Sequence, residues 1–331
     1  MSGIDFVVLW VDGGDVNWLA EKKKYDENMD DPSSCAARYR DWNNLQYWFR
    51  GVEKFAPWVD RIFFITWGHT PSWLNLQHPK IRVIKHEDFI PKEYLPTFNS
   101  NTIELNLHRI PELSEKFVLF NDDMFIIRDV KEKDFFAKNK LHDEFVMNAI
   151  VPYEGTPIIS HTCLNNVMLI NKHFNKKKIT RKMFWKVYNP IYGFGFLRNI
   201  SLIPWGSFPG FFNAHIPLAH FKSTFCEVWD KEWQMLNDTC VNKFRRYNDL
   251  NHWVMRYWNL CSGKFTPRRG GFGKIFTAGK TNEKMIDCIV HQKKKTVCIN
   301  DYVLDFDFST VSAQVRTALE TILPDKSSFE K

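Results

Sequence analysis

The sequence lacks the features that mark membrane-spanning and secreted proteins. Its longest apolar runs, such as residues 6–11, fall well short of the roughly 18 residues that a spanning helix needs. The N-terminus passes almost at once into a strand-like stretch, without the basic segment and apolar core of a secretory signal. We therefore expect a cytoplasmic protein without a secretory route, whose only membrane contact would be peripheral, at the inner face.

Cysteine and glycine also appear without familiar patterns. The seven cysteines show no paired short spacings and are odd in number, which disfavours a disulfide framework and a zinc finger and favours a reducing compartment. The glycine-containing segments 193–195 and 270–273 match neither the P-loop nor the dinucleotide-binding fingerprint. ATP and NAD are therefore not indicated.

Aromatic residues and positive charge are in excess. Phe, Trp and Tyr make up 16% of the 331 residues, and the net charge is +7. A basic protein favours a polyanionic partner, such as a nucleotide phosphate, an anionic glycan, nucleic acid or an acidic membrane face. The lysine runs at 22–24, 176–178 and 293–295 are most simply solvated faces, and contact with an anionic membrane is the alternative.

Continuous apolar stretches alternate with helical patterns along much of the chain. The strand predictions cover residues 6–10, 61–66, 81–84, 117–120 and 296–299. The helix predictions cover residues 41–55, 245–258 and 311–322. Strands that are apolar on both faces and alternate with helices predict an α/β fold with a mostly parallel sheet flanked by helices.

Acidic residues follow two of the predicted strands. Asp12 and Asp15 come directly after the first strand, and Asn121, Asp122 and Asp123 follow the fourth. Ligands of parallel sheets bind at the carboxyl ends of the strands, so both groups should meet there. Adjacent carboxylates repel each other unless a cation lies between them, and oxygen ligands suit Mg²⁺ or Mn²⁺. An acidic surface turn is the alternative for such a pair.

Three further residues have both a structural and a functional interpretation. Asn101 and Glu104 have the spacing of a capping box, which favours a helix-capping role for Glu104. His215 lies in an aromatic, proline-marked stretch where a neutral imidazole could act as a general base, although a lone histidine is more often structural. Arg245 could clamp phosphate oxygens, although a solvated basic pair with Arg246 is commoner.

Taken together, the motifs resemble the four signature regions of the Stealth family, in order. The first region corresponds to residues 4–15. The second corresponds to Arg38 and residues 45–50, 56–66, 71–74, 95–100, 103–104 and 121–123. The third corresponds to residues 214–217 with 244–245 and Asp249, and the fourth to residues 297–301. Tyr302 departs from the family pattern, in which a further polar residue often follows.

The resemblance implies roles for individual residues. Glu104, Asp123, His215 and Arg245 match the positions that are associated with catalysis in the family, which reverses the capping interpretation of Glu104. A divalent ion, Mg²⁺ or Mn²⁺, is expected on Asp122, Asp123 and Asp301. The expected substrate-binding residues are Trp10, Asp12, Gly13, Asp15, Arg50, Asn99, Ser100 and Asn121.

The resemblance also implies an architecture. Residues 1–130 would form a Rossmann-like or GT-A-like half that binds a nucleotide sugar at its acidic strand ends. Residues 131–210, which are basic and aromatic with weak periodicity, would form an insertion or lid that could hold the acceptor. Residues 211–331 would complete the core and end in a helix.

The implied reaction is a sugar-1-phosphate transfer of the bacterial capsule type. A hexose-1-phosphate, such as GlcNAc-1-phosphate, would pass from a UDP-sugar to a hydroxyl of a glycan or lipid-linked glycan, and UMP would leave. A metal-dependent glycosyltransferase that releases UDP is an alternative with the same donor. A non-catalytic polyanion-binding module is a further alternative, but three acidic loops at strand ends would oppose a polyanion, and nucleic acid is not an expected partner.

Overall fold

The computed structural model describes residues 3–25, 40–152, 157–301 and 305–331. Arg38 and Tyr302, which were named in the motifs above, lie outside the described residues. No helix in the described ranges is long and apolar enough to cross a membrane.

Eleven strands and thirteen helices make up the regular structure of the described ranges. The strands are β1 Ile4–Leu9, β2 Ile62–Thr66, β3 Ile81–Lys85, β4 Lys116–Asn121, β5 Met124–Ile126, β6 Phe136–Ala137, β7 Lys140–Asp143, β8 Leu218–Phe221, β9 Phe265–Pro267, β10 Gly273–Thr277 and β11 Thr296–Asn300. The helices are α1 Val16–Lys23, α2 Leu45–Phe55, α3 Ser100–Asn106, α4 Glu132–Phe135, α5 Pro157–His173, α6 Lys176–Lys182, α7 Phe184–Val187, α8 Phe194–Ser201, α9 Lys222–Lys231, α10 Trp233–Cys240, α11 Trp253–Cys261, α12 Glu283–Val290 and α13 Phe308–Ile322.

The central sheet has five strands in the order β3-β2-β1-β4-β8. The first four are parallel to one another, and β8 runs antiparallel to β4. Strands β1 and β2 are buried along their whole length, which explains their continuous apolar sequences. The expected mostly parallel α/β sheet with flanking helices is therefore confirmed.

Two small sheets extend the core beyond the central sheet. Strand β11 lies between β10 and β5 and pairs with β5 in the antiparallel direction, with Cys298 opposite Met124. Strands β6, β7 and β9 form the other small sheet. The β5–β11 pairing brings residues near 298 next to the turn that follows β4, far away in sequence.

Helix α2 packs on β5 at a point of unusually close approach. A Cβ atom on Gly51 would lie 2.6 Å from the carbonyl oxygen of Ile126, so only glycine allows the helix and strand backbones to approach this closely. The strong amphipathic pattern of residues 41–55 is confirmed as a helix, which begins at Leu45.

The other predicted helices and strands are confirmed except for one helix. The predicted strands and the C-terminal helix are confirmed, each within a few residues. The predicted helix over residues 245–258 is wrong in its first half, because α11 begins only at Trp253. Residues 131–210 contain α4 to α8, despite their weak periodicity. Their buried side chains, such as Phe145 and Leu169, belong to the same core cluster as the central sheet.

Arg50, which was expected to bind substrate, instead fastens the C-terminal segment to α2. Its Nε and one terminal nitrogen donate to the two carboxylate oxygens of Glu330, at 2.9 and 3.0 Å. The other terminal nitrogen donates to Glu320 at 3.1 Å and to the carbonyl of Leu323 at 2.9 Å. With four of its five N–H donors engaged in this way, Arg50 is committed to the C-terminal segment, and the structure does not support that prediction.

Arg50→Ala is expected to lower the free energy of unfolding by about 2 to 4 kcal/mol, because it leaves the nearly buried carboxylate of Glu330 without its cation. Urea unfolding measures the change. Arg128→Ala is the matched control, because Arg128 is exposed and its replacement should cost at most about 0.5 kcal/mol. Equal losses in the two variants would contradict the anchoring role.

Candidate active site

Two acidic segments meet at the carboxyl edge of the central sheet, as the strand order requires. Leu9 at the end of β1 is in register with Asn121 at the end of β4. The loop of residues 10–15 and the turn of residues 121–123 therefore leave neighbouring strands at the same edge. Asn121 is half-buried there.

Asp123 is the centre of a side-chain cluster on this edge. One of its carboxylate oxygens, Oδ2, lies 3.7 Å from Nε2 of His215 and accepts a hydrogen bond from the Cys298 thiol at 3.1 Å. Ligand atoms of these three residues all lie within 4.8 Å of one another. The Ile299 N–H donates to the Asp123 carbonyl at 2.8 Å, which fixes the turn against β11.

His215 has the conformation and the surroundings of a functional histidine. Its φ of 45° lies in the left-handed region, which is uncommon for a residue with a side chain and is often found at active sites. Burial opposes a charge on the ring, but Asp123 and then Glu104 outweigh it, so the net effect is to raise the pKa of His215. The histidine is thereby a stronger base than a free imidazole.

Glu104 is a buried carboxyl group on α3, not a helix cap. Asn99 caps the helix, with its side chain accepting from the Asn101 N–H, so the capping-box interpretation is wrong. Only 3% of Glu104 is exposed. Burial raises the pKa of Glu104 to about 7, and the charges of Arg245 and His215 offset part of that rise.

Two buried histidines continue from Glu104 into the core. Nε2 of His252 lies 3.9 Å from the Glu104 carboxylate, and its Nδ1 lies 3.1 Å from Nε2 of His220. Burial lowers the pKa of His220 to about 3 and that of His252 well below its ordinary value, so both rings are neutral at pH 7. Sequence reasoning missed His252, because nothing in its local pattern links it to Glu104.

Arg245 is held against α3 by Ser100, whose hydroxyl accepts from the guanidinium at 2.6 Å. The buried Asp249 organises the loop that carries Arg245, since its carboxylate accepts from the backbone of Arg246 and from the side chain of Asn242. This local side-chain bonding competes with helix formation and explains why the predicted helix starts late.

Asn99 and Asn101 join α3 to the carboxylate of Asp249. Their side-chain amides donate to Oδ2 of Asp249 at 2.8 and 3.1 Å. Asn99 is completely buried, so it cannot touch a substrate in this structure, contrary to the prediction of direct contact. It is a positioning residue for the Ser100–Arg245 contact instead.

The loop after β1 is held by a histidine from the end of β2. The Asp12 N–H donates to Nε2 of His69 at 2.7 Å, which leaves the proton of this neutral ring on Nδ1, 3.8 Å from the carboxylate of Asp15. Asp15 also caps α1, and the Trp10 ring packs edge-on against His69. Gly13 is half-buried in the same loop.

His69 is a second residue that sequence reasoning missed. It follows the end of β2 by three residues, and the rule that pointed to the ends of the first and fourth strands also applies to the second. Its Nδ1 is buried without a hydrogen-bond partner among the described residues, and its side chain lies between both acidic residues of the loop.

Of the three predicted metal ligands, Asp301 is engaged elsewhere. It forms an ion pair with Arg40 at 2.8 Å and accepts from the Trp42 indole at 3.2 Å, and it is absent from the Asp123 cluster. An acid held by an arginine is a poor cation ligand, so the structure does not support this prediction.

Of Asp122 and Asp123, only Asp123 belongs to a cluster in the described part of the chain that could hold a cation, together with His215 and Cys298. The second carboxylate oxygen of Asp123, Oδ1, is buried without a hydrogen-bond partner in the described part of the chain, which suits a hard cation. The Asp122 side chain is exposed, so water screens part of its repulsion with Asp123. Burial and then Asp123 raise the pKa of the Cys298 thiol, which therefore donates its hydrogen bond to Asp123 in the absence of a cation.

Glu104→Gln is expected to raise the free energy of unfolding, relative to the wild type, more at pH 8 than at pH 5. The unfolded carboxyl group ionises near its ordinary pKa of 4.5, whereas the folded one ionises only near 7, so stability is lost as the pH rises through this window. The variant, which cannot ionise, should gain about 3 kcal/mol relative to the wild type between these pH values, by urea unfolding. Glu112→Gln, at an exposed position, is the control. A gain that is independent of pH would contradict the burial argument.

Comparison with known proteins places this site in a family. Residues 3–30 match the model of Stealth protein CR1, conserved region 1, and residues 38–144 match Stealth protein CR2, conserved region 2. A galactosyltransferase LgtC structure with donor and acceptor sugar analogues aligns over 98% of both chains with a TM-score of 0.41 and 12% identity, which is too distant to support a conclusion.

Full-length relatives are much closer. The capsular polysaccharide phosphotransferase WcwK of Streptococcus pneumoniae is 47% identical over 100% of this chain and 99% of its own. The exopolysaccharide phosphotransferase cps2G of Lactiplantibacillus plantarum is 42% identical over 99% and 96%. The receptor polysaccharide phosphotransferase WefC of Streptococcus oralis is 37% identical over 100% of both. The chain therefore belongs to the Stealth family and is a transferase enzyme, as the resemblance of its motifs predicted.

Proposed function

We propose that this enzyme transfers a hexose-1-phosphate, such as GlcNAc-1-phosphate, from a UDP-sugar to a hydroxyl of a glycan, and that UMP is released. The product would be a phosphodiester in a capsular or other extracellular polysaccharide. The names of its relatives, which are capsular, exopolysaccharide and receptor polysaccharide phosphotransferases, support this class of product.

The pairing of His215 with Asp123 is the observation that carries the proposal. A base that is oriented by a carboxylate is the arrangement that removes a proton from a hydroxyl nucleophile. Because Nε2 faces Asp123, the hydrogen sits on that nitrogen and Nδ1 is free to accept a proton. Glu104 is a second acid–base group, and burial raises the pKa of its carboxyl group to about 7.

The proposed step balances without any further reactant. The acceptor oxygen attacks the β-phosphorus, and the bond from that phosphorus to the oxygen that bridges the two phosphates breaks. The UMP oxygen takes the electron pair, and Nδ1 of His215 takes the acceptor proton. Arg245 would stabilise the charge on the phosphoryl oxygens, which is how most of the barrier is lowered in such transfers.

Other residues at the sheet edge would bind the donor. The loop of Asp12 to Asp15, which His69 holds, would border the nucleotide, with Trp10 and Asn121 beside it. A Mg²⁺ or Mn²⁺ ion on Asp122 and Asp123 would neutralise the diphosphate. Ser100 would keep the guanidinium of Arg245 in place.

Identification of the released nucleotide tests the proposal. With Mg²⁺ or Mn²⁺, a panel of UDP-sugars and short capsule-type acceptors, we expect UMP and a glycan that contains phosphorus. The reaction should stop with EDTA and resume when the ion is restored. UDP with a phosphorus-free glycan would make the enzyme a glycosyltransferase, and full activity in EDTA would exclude the metal.

His215→Ala is expected to lower kcat by about 100-fold to 10,000-fold, with a smaller effect on donor KM, because the base acts in the transition state and not in donor binding. His291→Ala is the matched control, since that histidine is exposed and pairs only locally with Asp287. If the two variants were equally active, His215 would have no catalytic role.

A further inference from the structure

A cluster of large apolar side chains projects into solvent between residues 185 and 205. We call it the apolar surface and define it by six residues, with their exposed fractions: Trp185 81%, Phe194 88%, Leu197 57%, Ile200 42%, Ile203 50% and Trp205 50%. Single exposed apolar residues are ordinary, but six within so short a segment are not. Such a concentration indicates a surface that is covered by a partner.

Helix α8 presents one face to this surface and the other to the core. Phe194, Leu197 and Ile200 recur every third residue, within one side of the helix. Asn199 faces inward, where its amide donates to the carbonyls of Phe145 and Val187 at 2.7 Å each and accepts from a backbone N–H. The outward face is therefore fixed by the fold and is not a frayed end.

The segment that follows α8 is fixed in the same way. The buried Lys176 donates to the carbonyls of Leu202, Ile203 and Trp205, at 2.7, 3.2 and 2.6 Å. Among the described residues this lysine forms no ion pair; it holds the turn that displays the last two members of the apolar surface. The apolar groups are thus presented on a rigid scaffold, which lowers the entropy cost of burying them in a partner.

Positive charge without negative charge surrounds the apolar surface. Residues 155–226 contain nine Lys and Arg and no Asp or Glu. Six of the basic residues are exposed, and one of these, Lys172, forms an ion pair with Glu232. The other five are Lys177, Lys178, Arg181, Lys182 and Arg198. Within the described ranges, no carboxylate forms an ion pair with any of them. The partner must therefore tolerate apolar side chains and supply negative charge.

The other two lysine runs are less suited to such a partner. Lys24 pairs with Glu21, Lys293 with Asp287, and Lys295 with Asp134. These local acids compete with any external anion. Membrane contact, which was the alternative interpretation of all three lysine runs, is therefore favoured only for the run at residues 176–178, beside the apolar surface.

We propose that the apolar surface and its five exposed cations dock onto a bilayer that contains anionic phospholipid. Exposed Trp, Phe and aliphatic side chains favour the interface between headgroups and acyl chains, and Lys and Arg pair with lipid phosphates. A symmetric contact with a second copy of this chain would bring the two sets of cations together, which disfavours that occupant.

Docking would bring the active site close to the membrane. The guanidinium of Arg198 on α8 lies 5.5 Å from the ring of Phe212, and Phe212 precedes His215 by three residues. A lipid-linked glycan acceptor held in the bilayer could then reach the base. This consequence rests on the proposed function, whereas the docking itself does not.

Flotation with vesicles tests the docking on the full chain. Vesicles of phosphatidylglycerol and phosphatidylcholine in equal parts should bind the protein, and vesicles of phosphatidylcholine alone should bind it much more weakly. The double variant Trp185→Ser with Phe194→Ser should bind at least about tenfold more weakly. Replacement of Lys177, Lys178, Arg181 and Lys182 by Gln should weaken binding by roughly fivefold per charge at low salt.

Trp233→Ser is the matched control, because Trp233 is 55% exposed and lies on α10 outside the apolar surface. It should leave vesicle binding unchanged. Circular dichroism checks that each variant is folded, and transfer to a water-soluble acceptor should be the same in the double variant and the wild type. An absence of transfer activity would contradict the proposed function but would not change the vesicle result. The two proposals are therefore tested separately.

Three outcomes would overturn the proposal. The first is no binding to the anionic vesicles at low salt, and the second is binding that the double variant retains in full. The third is binding to a soluble anionic polysaccharide, through the same residues, in place of the vesicles.

Discussion

The balance of charge among Glu104, Asp123, His215 and Arg245 is the interaction on which the site depends. Glu104 is buried and the other three groups are half-buried, and each one shifts the charge state of another. Glu104 and Asp123 favour the charged form of His215, while Arg245 and His215 favour the ionised form of Glu104. Loss of Asp123 would remove the main support for the charged form of His215, and loss of Arg245 would favour the neutral form of Glu104, so the charge states of His215 and Glu104 depend on the whole group.

The fold assembles this unit from distant parts of the chain through backbone and side-chain supports. The parallel sheet brings the ends of β1 and β4 together, and the β5–β11 pairing brings Cys298 onto Asp123. Asp249 joins the start of α3 to the loop that carries Arg245. The carboxylate of Asp249 is buried and both of its oxygens accept hydrogen bonds, which is how a fold holds side chains in a reactive geometry.

The sequence alone was enough to predict the features that depend on local residue patterns. Strands that are apolar on both faces, the amphipathic α2, and the meeting of Asp12 and Asp15 with Asp122 and Asp123 at one edge all follow from pattern and from the geometry of parallel sheets. The family resemblance corrected the interpretation of Glu104, whose spacing alone favours a helix cap.

What the sequence could not predict depends on contacts between distant segments. The partners of Arg50 and Asp301 are hundreds of residues away, and nothing local shows that these side chains are already engaged. The same holds for the bond from Asp12 to His69 and for the proximity of His252 to Glu104. The hydrogen bonds of Asp249 likewise override a helical pattern that spacing alone supports.

A crystal structure with an unreactive UDP-sugar analogue and Mg²⁺ would test the central claim most directly. The account predicts the diphosphate at the carboxyl edge of the central sheet, with the β-phosphate between His215 and Arg245 and the ion on Asp122 and Asp123. A diphosphate bound elsewhere, such as in the open groove lined by Lys280, Asp307 and Thr310, would contradict it.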